Sequence, residues 1–150
     1  MKEHSGNTEK YLEAARILTR YLDMDESLDG GKWIIDNEND GSHEHPRHLP
    51  YVLYSRLQCE FMSDVSRCVE IAGLHNYMNV LGIHGIMSGG SPIEETDTAA
   101  LPIDAVLALI VLVYRGDRFG EGYMLRFFRN GAIKKWLLRL KELEIKSAEM

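Results

Sequence analysis

The spacing of apolar residues along the chain predicts a mostly helical protein. Residues 8–22 and 51–72 carry apolar side chains at intervals of three and four, which is typical of helices with one buried face. We expect the first helix to begin near Asn7 or Thr8. The second should begin after Pro50, since proline is accepted at the first helical position, and end at Gly73. Its stripe comprises Tyr54, Leu57, Phe61, Val65, Cys68 and Ala72.

An uninterrupted apolar run from Ala105 to Tyr114 predicts a helix of another kind. A helix that is apolar on every side belongs at the centre of a bundle, and this one is too short to span a membrane. Asn130-Gly131 indicates a helix end, and a further amphipathic helix is expected from about Ala132.

For two segments the sequence pattern does not decide the secondary structure. Residues 32–36 are short and β-branched, which fits either a brief strand or an extended segment, while residues 37–49 are polar and predict a loop. Residues 76–86 fit a short helix as well as a strand. The predicted fold class is mainly α: one domain over residues 1–150, a bundle of about five to six helices, with one short β-hairpin near residues 32–50 as an option.

The sequence also predicts where the protein is located and whether its two cysteines form a disulfide. The first residues lack the apolar stretch of a signal peptide, so we expect a cytoplasmic protein with no membrane association. Cys59 and Cys68 lie nine residues apart in the second helix, on opposite faces and too distant for a disulfide with each other. The simplest prediction is two buried apolar residues.

The net charge of −6 hides an asymmetry, because residues 1–100 carry −9 and residues 101–150 carry +3. One stretch near the C-terminus is basic and contains no acid. It offers an interface for nucleic acid or another anionic partner, or a solvated helix face that meets the acidic part of the same chain. The candidate residues are Arg126, Arg129, Lys134, Lys135 and Arg139, interleaved with Phe127, Phe128 and Trp136.

A second charged group follows the central apolar run and contains Arg115, Asp117, Arg118 and Glu121. Arginine binds phosphate and carboxylate groups bidentately, so the two guanidinium groups could hold an anionic ligand. Alternatively, the arginines pair with the neighbouring acids and fasten one helix to the next. Nearby glycines would then allow a sharp turn.

Three histidines provide the candidate metal ligands. His43, His45 and His48 lie in the predicted loop with several acids nearby, and imidazole and carboxylate groups are ligands for zinc, nickel or copper. Their spacing matches no established helical zinc motif. A polar loop that contains histidines by chance is therefore the favoured interpretation, and no cofactor is predicted.

The sequence around the second charged group resembles a known family. Residues 114–122 (YRGDRFGEG), 128–133 (FRNGAI) and 137–140 (LLRL) resemble the C-terminal signature of the prokaryotic domain of unknown function 6508 family. The resemblance covers about residues 96–143, with a looser similarity over residues 50–61. It implies a prokaryotic, helical protein and no particular reaction. The family often has cysteine where this chain has Gly120, so no cysteine chemistry is implied.

The favoured function is a non-enzymatic interaction module that binds a protein partner or a second copy of itself. No phosphate-binding loop, nucleophile elbow or zinc-binding cysteine set appears in the sequence. Two alternatives stay open: an enzyme or small-ligand protein with an anionic ligand on Arg115 and Arg118, and nucleic-acid binding through the basic C-terminal helix. The side chains considered for self-association are Phe127, Phe128, Trp136 and Leu138.

Overall fold

The computed structural model describes residues 2–23, 31–86 and 92–149, and in these ranges the chain forms a mainly α fold with one hairpin, as predicted. The elements are α1 (Lys2–Thr19), β1 (Gly31–Ile34), β2 (Tyr51–Tyr54), α2 (Arg56–Ala72), α3 (Tyr77–Ile83), α4 (Ile103–Gly116), α5 (Tyr123–Arg129) and α6 (Ala132–Glu149). Single turns of 3₁₀ helix lie at Arg20–Asp23, Leu74–Asn76, Ile93–Glu95 and Thr98–Ala100.

The apolar run predicted to form the central helix does so. Helix α4 contacts α1, α2, α3, α5 and α6, and the side chains of residues 105–111 are all buried. Leu107, Leu109 and Ile110 are fully buried, and burial of each such side chain stabilises the fold by about 1.5–3 kcal/mol. In the part of the chain that the structure describes, no helix is long and apolar enough to cross a membrane.

The hairpin corrects the predicted start of the second helix. Residues Tyr51–Tyr54 form β2 and pair antiparallel with β1, so they do not belong to a helix that begins after Pro50. Aromatic and β-branched residues favour strands, and here β1 supplies the partner strand that local spacing could not reveal. Helix α2 begins at Arg56 because the Ser55 hydroxyl accepts a hydrogen bond from the backbone N–H of Gln58 at 3.1 Å.

Other boundaries also differ from the prediction. Helix α1 begins at Lys2, so Asn7 and Thr8 lie inside the helix and do not cap it. Residues 77–83 form helix α3, so the segment 76–86, for which helix and strand were both open, contains a helix. The sequence Asp29-Gly30-Gly31 also predicts the end of the first helical segment, and Asp29 and Gly30 lie outside the described residues. Helix α2 ends at Gly73 as predicted, in the left-handed conformation that glycine readily adopts.

Candidate functional site

The predicted charged group lies where α4 leads into α5. Arg115 is in the last turn of α4, and the backbone N–H of Arg118 donates to its carbonyl oxygen at 3.3 Å. The N–H of Phe119 donates to the carbonyl of Gly116 at 3.0 Å, so the chain coils tightly before α5 begins. We call residues 115–122 the arginine turn.

The two acids of the arginine turn hold other parts of the fold. One carboxylate oxygen of Asp117 accepts hydrogen bonds from the hydroxyl of Tyr54 in β2 and from the backbone N–H of Met124, at 3.0 Å for the latter. Met124 lies in the first turn of α5, where backbone N–H groups lack partners within the helix, so Asp117 satisfies one of them. Glu121 accepts a hydrogen bond from the backbone N–H of Val52 at 2.7 Å.

These contacts also close the edges of the hairpin. Backbone groups in an antiparallel pair point alternately toward the partner strand and away from it. The N–H of Val52 points away from β1 and bonds to Glu121, and the carbonyl of Gly31 points away from β2 and accepts from Arg129 Nη2 at 2.7 Å. A two-stranded hairpin is marginal on its own, so a carboxylate on one edge and a guanidinium on the other help to fix it.

Gly122 gives the turn its closest contact with the hairpin. Its φ angle is +81°, and a Cβ atom built there would lie 2.4 Å from Trp33 Cζ2 and 3.1 Å from Val52 Cγ2. Only glycine fits both the backbone conformation and the space. The indole of Trp33 therefore lies against the arginine turn, and 42% of this residue remains exposed.

The arginines behave differently from the acids. Across residues 2–23, 31–86 and 92–149, neither Arg115 nor Arg118 forms an ion pair, so their pairing with the neighbouring acids does not hold the turn together. The Arg115 guanidinium lies 5.8 Å from the centre of the Tyr114 ring, and Arg118 is exposed. Beside them, Phe119 is 88% exposed. The turn thus presents the Arg118 guanidinium and the Phe119 ring to solvent, with the half-buried Arg115 beside them.

The basic residues of α5 and α6 are largely used within the chain. Arg126 pairs with Glu94 at 2.9 Å, and Lys135 donates to the backbone carbonyl of Glu94 at 3.0 Å. Arg139 is buried, and its Nε and Nη2 atoms donate to the carbonyl of Leu101 at 3.1 and 3.0 Å. Arg129 holds β1 as described, and Lys134 also has a partner in the chain. These side chains connect α5 and α6 to the segment that precedes α4 and to the hairpin.

The four residues considered for self-association also differ in how far they are buried. Phe127 and Trp136 are buried and stack on each other, with ring centres 5.9 Å apart, so they cannot contact a partner. Phe128 is half-buried against the core, whereas Leu138 is 49% exposed. Only Leu138 presents a large apolar surface to solvent among these four.

The three candidate metal ligands, His43, His45 and His48, lie in the exposed loop between β1 and β2. Asp36 organises this loop: hydrogen bonds from the Asn39 side chain and the backbone N–H of His48 hold the pKa of its carboxyl well below its usual range. An open groove of about 760 Å³ lies beside it. Within the described residues, no three His, Cys, Asp or Glu side chains come together in an arrangement that could hold a metal ion.

The two cysteines differ, and only one follows the prediction. Cys68 is buried, and its thiol donates to the Ala14 carbonyl at 3.5 Å, whereas Cys59 is exposed; no disulfide joins them. The prediction that both are buried is wrong for Cys59, because the helix face it occupies points to solvent. Burial, with a smaller effect of nearby Asp64, raises the pKa of the Cys68 thiol to about 12.

Sequence reasoning missed Tyr54 and Trp33 as parts of the site. The apolar spacing places Tyr54 on a helical stripe, and Trp33 lies in a segment for which the sequence indicates no partner. Gly122 carried a signal, since three glycines in seven residues suggest a tight turn, but its contact with Trp33 joins positions 89 residues apart. No local pattern could identify that contact.

Comparison with known proteins agrees with the sequence resemblance and extends it. The sequence profile of a family of unknown function (DUF6508) matches residues 31–146. No curated protein and no solved structure was found to match the chain. The matched region begins at the first residue of β1 and ends within α6, so it includes both the hairpin and the arginine turn. The chain therefore belongs to the DUF6508 family.

Proposed function

We propose that the protein is a non-enzymatic interaction module whose arginine turn binds an acidic, partly apolar segment of another protein. The observation that carries this proposal is the exposure of Phe119, 88%, beside two arginines that form no ion pair within the described residues. The turn does not need these three side chains for its own structure, because Asp117, Glu121 and Gly122 make its contacts with the hairpin.

The residue types at this surface are those that dominate protein interfaces. Tryptophan, tyrosine and arginine are enriched among the residues that contribute most to binding energy. Trp33 lies against Gly122 and keeps 42% of its surface exposed, which adds a second aromatic group close to the turn. An aromatic surface flanked by two guanidinium groups is complementary to a segment that carries carboxylates next to apolar side chains.

A small anionic ligand is supported less well. The groove of about 760 Å³ is lined by residues 34–38, 48, 49 and 51, and none of these belongs to the arginine turn.

Nucleic acid is also a weaker candidate than an acidic protein segment. Phosphate contacts from several cations supply most of the non-specific affinity for nucleic acid. Here the basic residues of α5 and α6 make contacts within the chain, and the net charge of −6 repels a polyanion. An acidic peptide needs only the two arginines and a small apolar contact.

Selection from a phage-displayed random peptide library tests the proposal. We expect the intact protein to enrich peptides that combine aspartate or glutamate with aromatic or aliphatic residues. Peptides made from the enriched sequences should lose at least about tenfold in affinity for Arg118→Met and for Phe119→Ser, which is about 1.4 kcal/mol of binding free energy. Leu49→Ser is the matched control, because Leu49 is 87% exposed but lies outside the turn.

Three outcomes would contradict the proposal. One is enrichment of peptides without acidic residues, and another is equal loss of affinity in the Leu49→Ser control. The third is salt-sensitive binding of labelled single-stranded DNA or RNA that depends on Arg118, which would assign the turn to nucleic acid instead. Circular dichroism of each variant verifies that the helical fold is intact.

A further inference from the structure

The outward side of α6 carries an apolar pair that the fold leaves in solvent. Leu138 is 49% exposed and Ile145 is 50% exposed. They are seven residues apart, and at 3.6 residues per turn their directions differ by only about 20°. They therefore form one line along the outside of the helix, away from the side on which Trp136, Leu137 and Leu140 enter the core.

Charges border this line in an ordered way. Lys141 and Glu142 lie between the two apolar residues along the helix, about 50° to either side of the line. Their side chains are 51% and 60% exposed. Lys134 lies on the side of Lys141 and Glu149 on the side of Glu142, while Lys135 and Lys146 lie farther from the line, also on the side of Glu142. We call Leu138, Lys141, Glu142 and Ile145 the outer stripe of α6; Lys141 forms its basic edge and Glu142 its acidic edge.

From this arrangement we infer that α6 binds the α6 helix of a second copy of the chain, with the two helices parallel. A two-fold axis along the helices stacks Leu138 on Leu138 of the partner subunit and Ile145 on Ile145 of the partner subunit. The same axis turns the basic edge of each helix toward the acidic edge of the other. Lys141 then lies beside Glu142 of the partner subunit, and the pair occurs twice by symmetry.

The charges also exclude the opposite orientation. If the helices were antiparallel and packed through the same stripe, the two-fold axis would be perpendicular to them. Each basic edge would then face the partner's basic edge, and each acidic edge the partner's acidic edge. Like charges across an interface oppose association, so the order of charges selects the parallel pair.

Existing contacts within the chain do not prevent this association. Lys141 lies 3.6 Å from Glu144, and Glu142 lies 3.3 Å from Arg139. In each pair only Lys141 or Glu142 is exposed, since Glu144 and Arg139 are largely buried, and both exposed side chains can bond to the partner subunit as well. The stripe spans only two apolar layers. Interfaces below roughly 1,200 Å² of total buried surface are typical of weak complexes, so we expect dimers at high protein concentration.

Sedimentation equilibrium from low-micromolar to millimolar protein tests the inference, which is independent of the arginine turn. We expect a reversible dimer that Leu138→Ser abolishes. Met78→Ser, at an α3 residue that is also 49% exposed, should leave the dimer unchanged. Lys141→Glu should weaken association about tenfold, the effect of two exposed pairs becoming repulsive, and Lys141→Glu/Glu142→Lys should restore it.

Crosslinking determines the orientation. In a Cys59→Ser background, Leu138→Cys should form a disulfide between two copies, because the parallel pair places these residues side by side. A monomer at all concentrations would overturn the inference. So would failure of the charge exchange to restore the dimer, or a dimer in which cysteine at position 138 crosslinks only to cysteine introduced at position 145.

Discussion

The hydroxyl of Tyr54 in β2 donates a hydrogen bond to the carboxylate of Asp117, at the end of α4. This bond joins the hairpin to the helix at the centre of the bundle, across 63 positions of sequence. The same carboxylate oxygen accepts the N–H of Met124 at 3.0 Å, so one side chain connects β2, α4 and α5. The arginine turn is consequently part of the scaffold through its acids, while Arg118 and Phe119 face solvent and Arg115 is half-buried.

Removal of the Tyr54 hydroxyl should destabilise the protein in a pH-dependent way. Burial and the hydrogen bond to Asp117 raise the pKa of Tyr54 above its ordinary value. We expect Tyr54→Phe to lower the free energy of unfolding by about 1–2 kcal/mol at neutral pH. A group with a raised pKa in the folded state stabilises fully below its unfolded pKa, and this contribution is lost as the pH rises through the folded pKa.

Urea unfolding of both proteins at a series of pH values measures this effect. The difference between wild type and Tyr54→Phe should stay constant up to about pH 10, the ordinary pKa of tyrosine, and shrink above it. A difference that grows with alkalinity would show that the hydroxyl is not stabilised in its protonated form.

A methyl group at Gly122 should disturb the contact between the turn and the hairpin. Gly122→Ala combines a strained backbone, at φ +81°, with a Cβ atom 2.4 Å from the Trp33 ring. Gly131→Ala is a matched control, because Gly131 has φ +84° and nothing within 4 Å of the added atom. We expect Gly131→Ala to cost about 1 kcal/mol and Gly122→Ala at least about 1 kcal/mol more. Equal losses in thermal unfolding would disprove the close contact.

Arg139 should be a structural residue. Its buried guanidinium donates twice to the carbonyl of Leu101, the residue before Pro102 and the start of α4. Arg139→Met keeps the apolar stem but leaves that carbonyl without its donor, so we expect a loss of about 2–3 kcal/mol. Arg126→Met removes a partly exposed ion pair with Glu94 and a cation–π contact with the Phe127 ring, 5.3 Å away, and should cost about 1 kcal/mol. Equal stability of the two variants in urea would contradict the assigned role of Arg139.

The two cysteines should differ in reactivity. Cys59 is exposed, whereas the Cys68 thiol is buried with its pKa raised to about 12. The thiolate is the reactive form, so iodoacetamide at neutral pH should label Cys59 rapidly and leave Cys68 unlabelled until the protein unfolds. Mass spectrometry of the digested protein measures both sites. Rapid labelling of Cys68 in the folded protein would show that the contact between α1 and α2 opens readily.

Much of the fold could be predicted from the sequence because periodicity reports burial. The apolar run from Ala105 and the stop at Gly73 are local signals, and the structure confirms both. The sequence predicts helix for residues 51–54 because their apolar positions continue the spacing of α2. Strand formation there depends on β1, and pairing across the intervening loop leaves no trace in local spacing.

For the candidate site, the sequence predicts which residues lie together but not what each of them does. The grouping of Arg115, Asp117, Arg118 and Glu121 was visible in the sequence, and the structure places all four in one turn. The difference in role between the two acids and the two arginines is not visible in the sequence. It depends on Tyr54 and Val52, which donate hydrogen bonds to the acids from the hairpin. Spacing can gather charges of both signs, but only tertiary contacts show which charges the fold uses.

The acids of the arginine turn hold the structure, and its arginines do not. Urea unfolding of Asp117→Ala and Arg118→Met, side by side, separates the two roles. We predict a loss of about 2 kcal/mol for Asp117→Ala, which leaves the Tyr54 hydroxyl and the Met124 N–H without their acceptor. Arg118→Met should stay within about 0.5 kcal/mol of wild type. A loss for Arg118→Met as large as that for Asp117→Ala would contradict the claim.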